Sequence, residues 1–266
     1  MTGRHTFENP VPKRLRGRTA IVTGAGQGVG LGIARRLAAE GANVVIAARR
    51  AQTGEPAAAA IRETGAEAVC IVTDVTEREA VQRCVDETVD RYGGLEIMVH
   101  NAIRGAAGVH QISDLDVSRW SGLSRTAVWA SFFCAQAASP HLRAAGRFGR
   151  LILISSPSGV EGSHTLPLYS PVKGAQRALA KSLAREWGHL GITVNCIAPV
   201  AETPALQSAF VSNPQLKARL EGRTPLRRLG DAEHDTGAVA AFLASDDASY
   251  VTGQTIVVDG GHFMGF

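Results

Sequence analysis

The run Thr23-Gly24-Ala25-Gly26-Gln27-Gly28-Val29-Gly30 limits what this chain can fold into more than any other stretch of it. It joins a β-branched apolar segment, Thr19 to Thr23, to a segment of helical period, Gly28 to Glu40, that Gly41 ends. Glycines at this spacing let the backbone turn tightly and let a ligand approach the main chain closely. The helix that follows aims unpaired N–H groups and the positive end of its dipole at the same spot. A strand, a glycine turn and a helix in that order bind the pyrophosphate of a dinucleotide when they open a parallel sheet. Thr23, Gly24, Gln27, Gly28, Val29 and Gly30 are therefore candidate cofactor contacts.

The rest of the chain repeats that alternation. Strands are expected at Val44 to Ala47, Ala68 to Val72, Leu95 to Val99, Leu151 to Ile154, Thr193 to Ile197 and Thr255 to Val258. Between them lie an Ala-rich helix that stops near Gly65, a helix from Val75 to Tyr92 and a long one from about Val117 to Ala145. Helices at about Ser170 to Leu190 and Ala232 to Ala244 complete the set. Strands apolar on successive residues are covered on both faces. Alternation of this kind builds an α/β, Rossmann-type doubly wound parallel sheet of about seven strands, with helices on both faces. No linker or repeat divides it, so residues 18–266 read as a single catalytic domain behind a basic arm, residues 1–17. The long irregular stretch from Pro199 to about Pro225 reads as a lid, and its Leu206, Phe210, Leu216 and Leu220 suggest an apolar or bulky substrate.

Composition narrows the class. A 45% apolar, 20% charged chain with a formal charge of +4 is an ordinary globular protein. Lys13, Arg14, Arg16 and Arg18, with Pro10 and Pro12 beside them, read as a solvated arm and not as a nucleic-acid contact. No apolar run is long enough to span a membrane, and the first residues lack a signal peptide's apolar core, so the cytoplasm is expected. Cys70, Cys84, Cys134 and Cys196 show no metal-ligand spacing and read as buried free thiols, so no metal is expected.

Two groups of residues carry chemistry. At the end of the second strand no carboxylate is present to accept from a ribose 2′-hydroxyl. Arg49 and Arg50 stand there instead, and a guanidinium suits a 2′-phosphate, which favours NADP(H) over NAD(H). Asp74, after the third strand, is a candidate acceptor for the adenine amine or, alternatively, a cap on the helix from Val75. Tyr169 and Lys173, four apart at a helix start, share a face, and an ammonium beside a phenol lowers its pKa toward use as an acid or base. Pro171 between them is tolerated because it falls in the first helical turn. The fifth strand runs out into Ser155 and Ser156, at the sheet edge where ligands of open α/β sheets bind.

With these residues in place, nearly the whole chain after the arm resembles the short-chain dehydrogenase/reductase family. Thr23 to Gly30 is similar to its TGxxxGxG signature, Asp74-Val75 to its acidic dipeptide, and Tyr169-Ser-Pro-Val-Lys173 to YxxxK, with Ser156 thirteen residues earlier. Asn195-Cys-Ile-Ala-Pro199 resembles its N-x-x-x-P segment, Thr203 its cofactor-contacting threonine, and Val251 to Gly261 its usual ending. The resemblance implies hydride transfer between NADP(H) or NAD(H) and a ketone or secondary alcohol, in the manner of 3-oxoacyl-thioester reductases and hydroxysteroid or secondary-alcohol dehydrogenases. It implies Tyr169 as general acid and base, Lys173 lowering its pKa and holding the nicotinamide ribose, and Ser156 polarising the carbonyl. It adds Val75, Asn101, Ala102, Pro199 and Thr203 to the cofactor contacts, and it implies a homotetramer whose apolar tail, Phe263, Met264 and Phe266, reaches a neighbouring subunit or frays. The partner is then a small carbonyl or alcohol, apolar or an acyl thioester.

The chain also departs from the family pattern. Its NNAG segment appears as His100-Asn101-Ala102-Ile103, which sets a bulky residue near the adenosine, and its helical asparagine falls on Ala127, which removes an anchor for a water chain to Lys173. His100 reads as a packed strand-end residue. Glu161 and His164 lie on the loop before Tyr169, either lining the substrate pocket or exposed. Lyase or epimerase chemistry on the same fold, and a nucleotide-binding sensor or scaffold without turnover, stand as the alternatives.

Overall fold

The computed structural model describes residues 13–104 and 111–264. Seven strands form one sheet: β1 (Thr19–Thr23), β2 (Asn43–Ala48), β3 (Ala68–Val72), β4 (Ile97–His100), β5 (Arg150–Ile154), β6 (Thr193–Pro199) and β7 (Thr255–Val258). They lie in the order β3-β2-β1-β4-β5-β6-β7, every pair parallel. Chain order reverses between β1 and β4, and their carboxyl ends flank the crevice where such sheets bind ligands.

Alternate strand residues feed two cores. Ala20, Val22, Val44, Ile46, Val99 and Ile152 pack under α1 (Gly28–Ala39), α2 (Ala51–Arg62) and α10 (Ala238–Ala244). Ile21, Val45, Met98, Leu151, Leu153 and Val194 pack under α3 (Arg78–Tyr92), α5 (Ala130–Ala145) and α7 (Tyr169–Trp187). The doubly wound parallel sheet expected from the sequence is the architecture observed.

Several elements differ in detail. Helix α3 begins at Arg78 rather than Val75, because Thr76 is drawn into a turn by Asp74, whose Oδ1 accepts from the Thr76 N–H (2.9 Å) and hydroxyl (2.7 Å). Asp74 therefore does not cap that helix. The long fourth helix is two, α4 (Val117–Ser124) and α5, joined without a break by a π turn over Arg125–Trp129. The lid is not irregular: it holds α8 (Pro204–Ser212), capped by the Thr203 hydroxyl and opened by Pro204, and α9 (Gln215–Arg223). A one-turn helix, α6 (Ser158–Glu161), packs on α7 so closely that a Cβ on Gly159 would lie 2.7 Å from that of Lys173.

Residues 1–12 of the basic arm lie outside the described residues, but its remainder is only partly solvated. Leu15 is buried, Arg14 pairs through two nitrogens with buried Glu40 (both 2.7 Å), and Arg18 donates to the Ala244 carbonyl (2.6 Å) and pairs with Asp246 (2.8 Å). Desolvated carboxylate and carbonyl groups at the base of the sheet recruit these cations; Arg16 alone among them is exposed with Lys13, whose amine still reaches the Ala39 carbonyl. Among the described residues no helix is long and apolar enough to cross a membrane, and all four cysteines are free.

Candidate active site

The glycine turn closes at the end of β1, where Gly24 N–H donates to the Ala47 carbonyl (2.8 Å). Gly24 and Gly28 take φ of +65° and +59°, a region side chains rarely enter. Helix α1 then starts from Gln27 in extended backbone, with no side-chain cap and no acidic residue in its first turn. Its N-terminal N–H groups point out with no side-chain acceptor, the condition for binding an anion. A Cβ on Gly28 would meet nothing nearer than Pro204 (3.6 Å) and Thr203 (3.8 Å), so the lid begins directly over the turn. This uncapped, glycine-lined cradle fits a dinucleotide pyrophosphate.

The crevice wall comes from β4. Thr23 Oγ1 accepts from the backbone N–H of Asn101 (3.0 Å) and Ala102 (3.2 Å), and Asn101 Nδ2 donates to the carbonyls of Thr23 (3.0 Å) and Gly24 (3.2 Å). The Thr23 hydroxyl also meets His100 Nδ1 at 3.0 Å. With its lone pairs taken by two N–H donors, the hydroxyl gives its proton to Nδ1, which leaves the imidazole hydrogen on Nε2. His100 is fully buried, and that burial, with Lys173 nearby, pushes it down to about 3, so it stays neutral. It is the packed strand-end histidine expected, although among the described residues Nε2 has no hydrogen-bond partner.

On the adenosine side Arg49 is exposed at the end of β2, and Val75 is buried behind Asp74. Burial opposes ionisation of Asp74 most strongly, but the Thr76 hydrogen bonds and the cations Arg49 and Arg104 outweigh it and hold the carboxyl below its usual range. A cavity of about 580 Å³ opens beside it, lined by Thr76, Arg104, Arg119, Leu123 and Thr126 among others. Ile103 is 37% exposed at its edge of the crevice, so the bulky replacement for the family's glycine is accommodated by pointing outward.

At the end of β5 the catalytic candidates converge. Ser155 faces inward and donates to the Lys173 carbonyl (2.9 Å), which leaves Ser156 to face the crevice. Ser156 Oγ lies 2.9 Å from Ser158 Oγ and hydrogen-bonds the Tyr169 phenol. Tyr169 is half-buried; burial pushes its phenol up to about 12 against the smaller pull of Ser156. Lys173, 1% exposed, is pushed down to about 7, chiefly by burial. Its Nζ donates to the Ile154 carbonyl (2.5 Å) and to Gln176 Oε1 (3.0 Å), and lies 5.6 Å from the Tyr169 ring centroid. The amine is thus turned inward, and the lowering of the phenol expected from it is absent from this arrangement.

The remaining candidates are distributed around this centre. Pro199 ends β6 half-buried; Asn195 braces β6 to the last strand's approach, donating to the Val251 carbonyl (2.7 Å) and accepting from Gln254 N–H (3.0 Å). Glu161, the last residue of α6, and His164, on the loop after it, are exposed. Ala127 is fully buried in the π turn. The tail is anchored rather than frayed as far as Phe263, whose N–H donates to Asp259 (2.7 Å); Met264 is exposed, and Phe266 lies outside the described residues. Sequence reasoning missed Gln176, Ser131 and Ser158. The signal for Gln176 was its place seven residues after Tyr169 and three after Lys173, on the inward face of an amphipathic helix.

Comparisons with known proteins bear on this geometry. A family model described as enoyl-(acyl carrier protein) reductase, of the short-chain alcohol dehydrogenase type, matches residues 24–262. The chain is 34% identical over 256 residues to a tropinone reductase-like protein of Erythroxylum coca, covering 96% of this chain and 97% of that one. It is 34% identical over 248 residues to a 3-oxoacyl-[acyl-carrier-protein] reductase of Staphylococcus aureus, covering 93% and 98%. Among solved structures, a gluconate 5-dehydrogenase from Burkholderia cenocepacia in complex with NADP and tartrate superposes with a TM-score of 0.86 at 35% identity, covering 95% of this chain and 97% of that one.

Proposed function

The chain belongs to the short-chain dehydrogenase/reductase family of NAD(P)-dependent oxidoreductases, and on that premise we propose that it reduces a ketone, or oxidises the matching secondary alcohol, with NADP(H) as its preferred cofactor. The observation that carries this is the convergence of Ser156, Tyr169 and Lys173 at the end of β5, on the carboxyl edge of the sheet that also carries the uncapped glycine cradle. A bound nicotinamide supplies or takes up the hydride. The protein's part is the proton. Tyr169 gives its phenolic hydrogen to the carbonyl oxygen in reduction and takes it back in oxidation, while the Ser156 hydroxyl donates to the same oxygen. A phenol raised to about 12 is fully protonated at neutral pH and stocked for the acid role. Lys173 holds the ribose end of the cofactor and supplies positive charge once turned toward it. Thr23, Gly24, Gln27, Gly28, Val29 and Gly30 hold the pyrophosphate with Pro199 and Thr203, and Asp74, Val75, Asn101 and Ala102 border the adenosine.

Arg49 supports the preference for NADP(H): it stands exposed beside Asp74 at the end of β2, with no carboxylate hydrogen bond among the described residues, where a 2′-phosphate would reach it. The half-buried Leu206, Phe210, Leu216 and Leu220 of the lid favour an apolar substrate or an acyl thioester. Trp129 and Phe132, 56% and 45% exposed on adjoining turns of the π turn and α5, favour a homotetramer, and the free cysteines favour a reducing compartment such as the cytoplasm. The test is a fluorescence titration with NADPH and NADH, followed by turnover on a panel of ketones and 3-oxoacyl thioesters. Binding with turnover supports the proposal, and binding of neither cofactor overturns it.

A further inference from the structure

We propose that Gln176 is the positioning residue of this site, fixing Lys173 through a brace of direct hydrogen bonds that runs to the carbonyl of Ala127 in the π turn. This rests on the place given to Lys173 above. Gln176 is 1% exposed, one turn beyond Lys173 on α7. Its Oε1 accepts from Lys173 Nζ (3.0 Å), and its Nε2 donates to Ser131 Oγ (2.9 Å) and to the Ala127 carbonyl (3.4 Å). Ser131, itself fully buried, donates its hydroxyl hydrogen to the same carbonyl (2.6 Å).

The chain of bonds has one direction. A carbonyl only accepts, so the Ser131 hydrogen points at Ala127, and Ser131 Oγ must be the acceptor of the amide. That orients the amide with its NH₂ toward the π turn and its oxygen toward the amine. Flipping it would set its NH₂ against the Lys173 amine, donor to donor, and its oxygen against the Ala127 carbonyl and the Ser131 oxygen, at the cost of buried unsatisfied groups.

Among the described residues no anion faces the amine from the elements packed around it. Tyr169 and Arg177 share its helix, Cys196 comes from β6 with its thiol pushed up to about 12, and His100 from β4 is neutral; Glu161 of α6 is exposed. Among the described residues the charged form of Lys173 therefore depends on two carbonyl oxygens, those of Ile154 and Gln176. Gln176 fixes both the reach of the amine and the pH at which it carries a proton.

The test follows the Nζ signals of Lys13, Lys173, Lys181 and Lys217 in ¹⁵N-lysine-labelled, cofactor-free protein, with Lys173→Met assigning the one of interest. Loss of one acceptor in Gln176→Leu should move the Lys173 midpoint down by about one pH unit. The near-isosteric Gln176→Glu, which sets a carboxylate beside the amine, should move it up by a unit or more. In turnover, Gln176→Leu should lower kcat several-fold with little change in KM and shift the pH profile with the amine, and Gln176→Glu should restore kcat at higher pH. Unmoved midpoints in both variants overturn the proposal. If Gln176→Leu does not fold, Gln176→Glu decides alone, its raised midpoint supporting the brace and an unmoved one refuting it. Because the midpoint is read without cofactor, it stands even if no ketone or alcohol is ever turned over.

Discussion

Replacing Gly30 by alanine tests whether the cofactor cradle and the end of β4 are one packed unit. An added Cβ would lie 2.4 Å from Asn101 Nδ2, 2.6 Å from the Gly24 carbonyl oxygen and 3.0 Å from Ala25 Cα. Two of those atoms are backbone and cannot swing aside. The third is the amide that ties β4 to the turn through two hydrogen bonds, so moving it breaks both. Overpacking of this kind costs about 1–3 kcal/mol and the two lost hydrogen bonds about 1 each, against about 1 kcal/mol gained from the helix propensity of alanine, for a net loss of about 2–4 kcal/mol. At about 2–4 °C per kcal/mol for a domain of this size, the thermal midpoint should fall by about 4–16 °C. NADPH affinity should fall with it, because the displaced Gly24 carbonyl belongs to the turn that receives the pyrophosphate. Gly222→Ala is the control: it sits in exposed α9 with nothing within 4 Å and should leave the midpoint unchanged or slightly raised. A Gly30→Ala protein with the wild-type midpoint and wild-type NADPH affinity would refute the contact between the two elements, and with it the cradle.

Three further outcomes are expected. Arg49→Ala should weaken NADPH binding about tenfold, the loss of one charge-assisted contact, and leave NADH binding unchanged, as fluorescence titration would show; an equal effect on both cofactors would remove Arg49 from the 2′-phosphate. Tyr169→Phe should lower kcat by about 10²–10⁴ while NADPH binds as in the wild type, and retained turnover would assign the proton transfer elsewhere. Lys173, lowered to about 7 in the fold from 10.5, is neutral when folded but protonated when unfolded between those values. The unfolded chain then binds more protons, so this group adds stability as pH rises through that window, by up to about 1.4 kcal/mol per unit, and below about pH 7 its penalty is constant. Urea unfolding from pH 7 to 9 should show the wild type gaining on Lys173→Met, and parallel curves would exclude the depressed amine.

Most of the fold was legible because both faces of the sheet are covered. A strand buried on two sides must be apolar on successive residues, so runs such as Leu151 to Ile154 identify themselves, and the glycine turn fixes which strand comes first. What escaped was structure whose cause is not apolar periodicity. The π turn inserts one residue into a continuous helix, and no residue type in Arg125–Trp129 marks it. The lid helices are nine residues each and lie on the surface, so their pattern was too short to stand out, although Thr203-Pro204 is a cap followed by a helix-opening proline. The start of α3 was misplaced because the turn made by Asp74 and Thr76 is a side-chain effect three residues wide.

The site divides along the same line. That Thr23, Asn101, Ser156, Tyr169 and Lys173 gather at one edge of the sheet was legible from their places at strand ends and at the start of a helix. Their electrostatics were not. An ammonium four residues from a phenol suggests attraction, yet in the fold the amine donates to the Ile154 carbonyl and to Gln176, and burial raises the phenol. The cause lies in residues remote in sequence: Ala127 offers a carbonyl and a small side chain, Ser131 relays it, and Gln176 presents an oxygen to the amine. Read alone, Ala127 is a loss, a missing amide beside the lysine. Read with Gln176, its carbonyl is one end of a brace whose amide stands on α7 and reaches Lys173 directly.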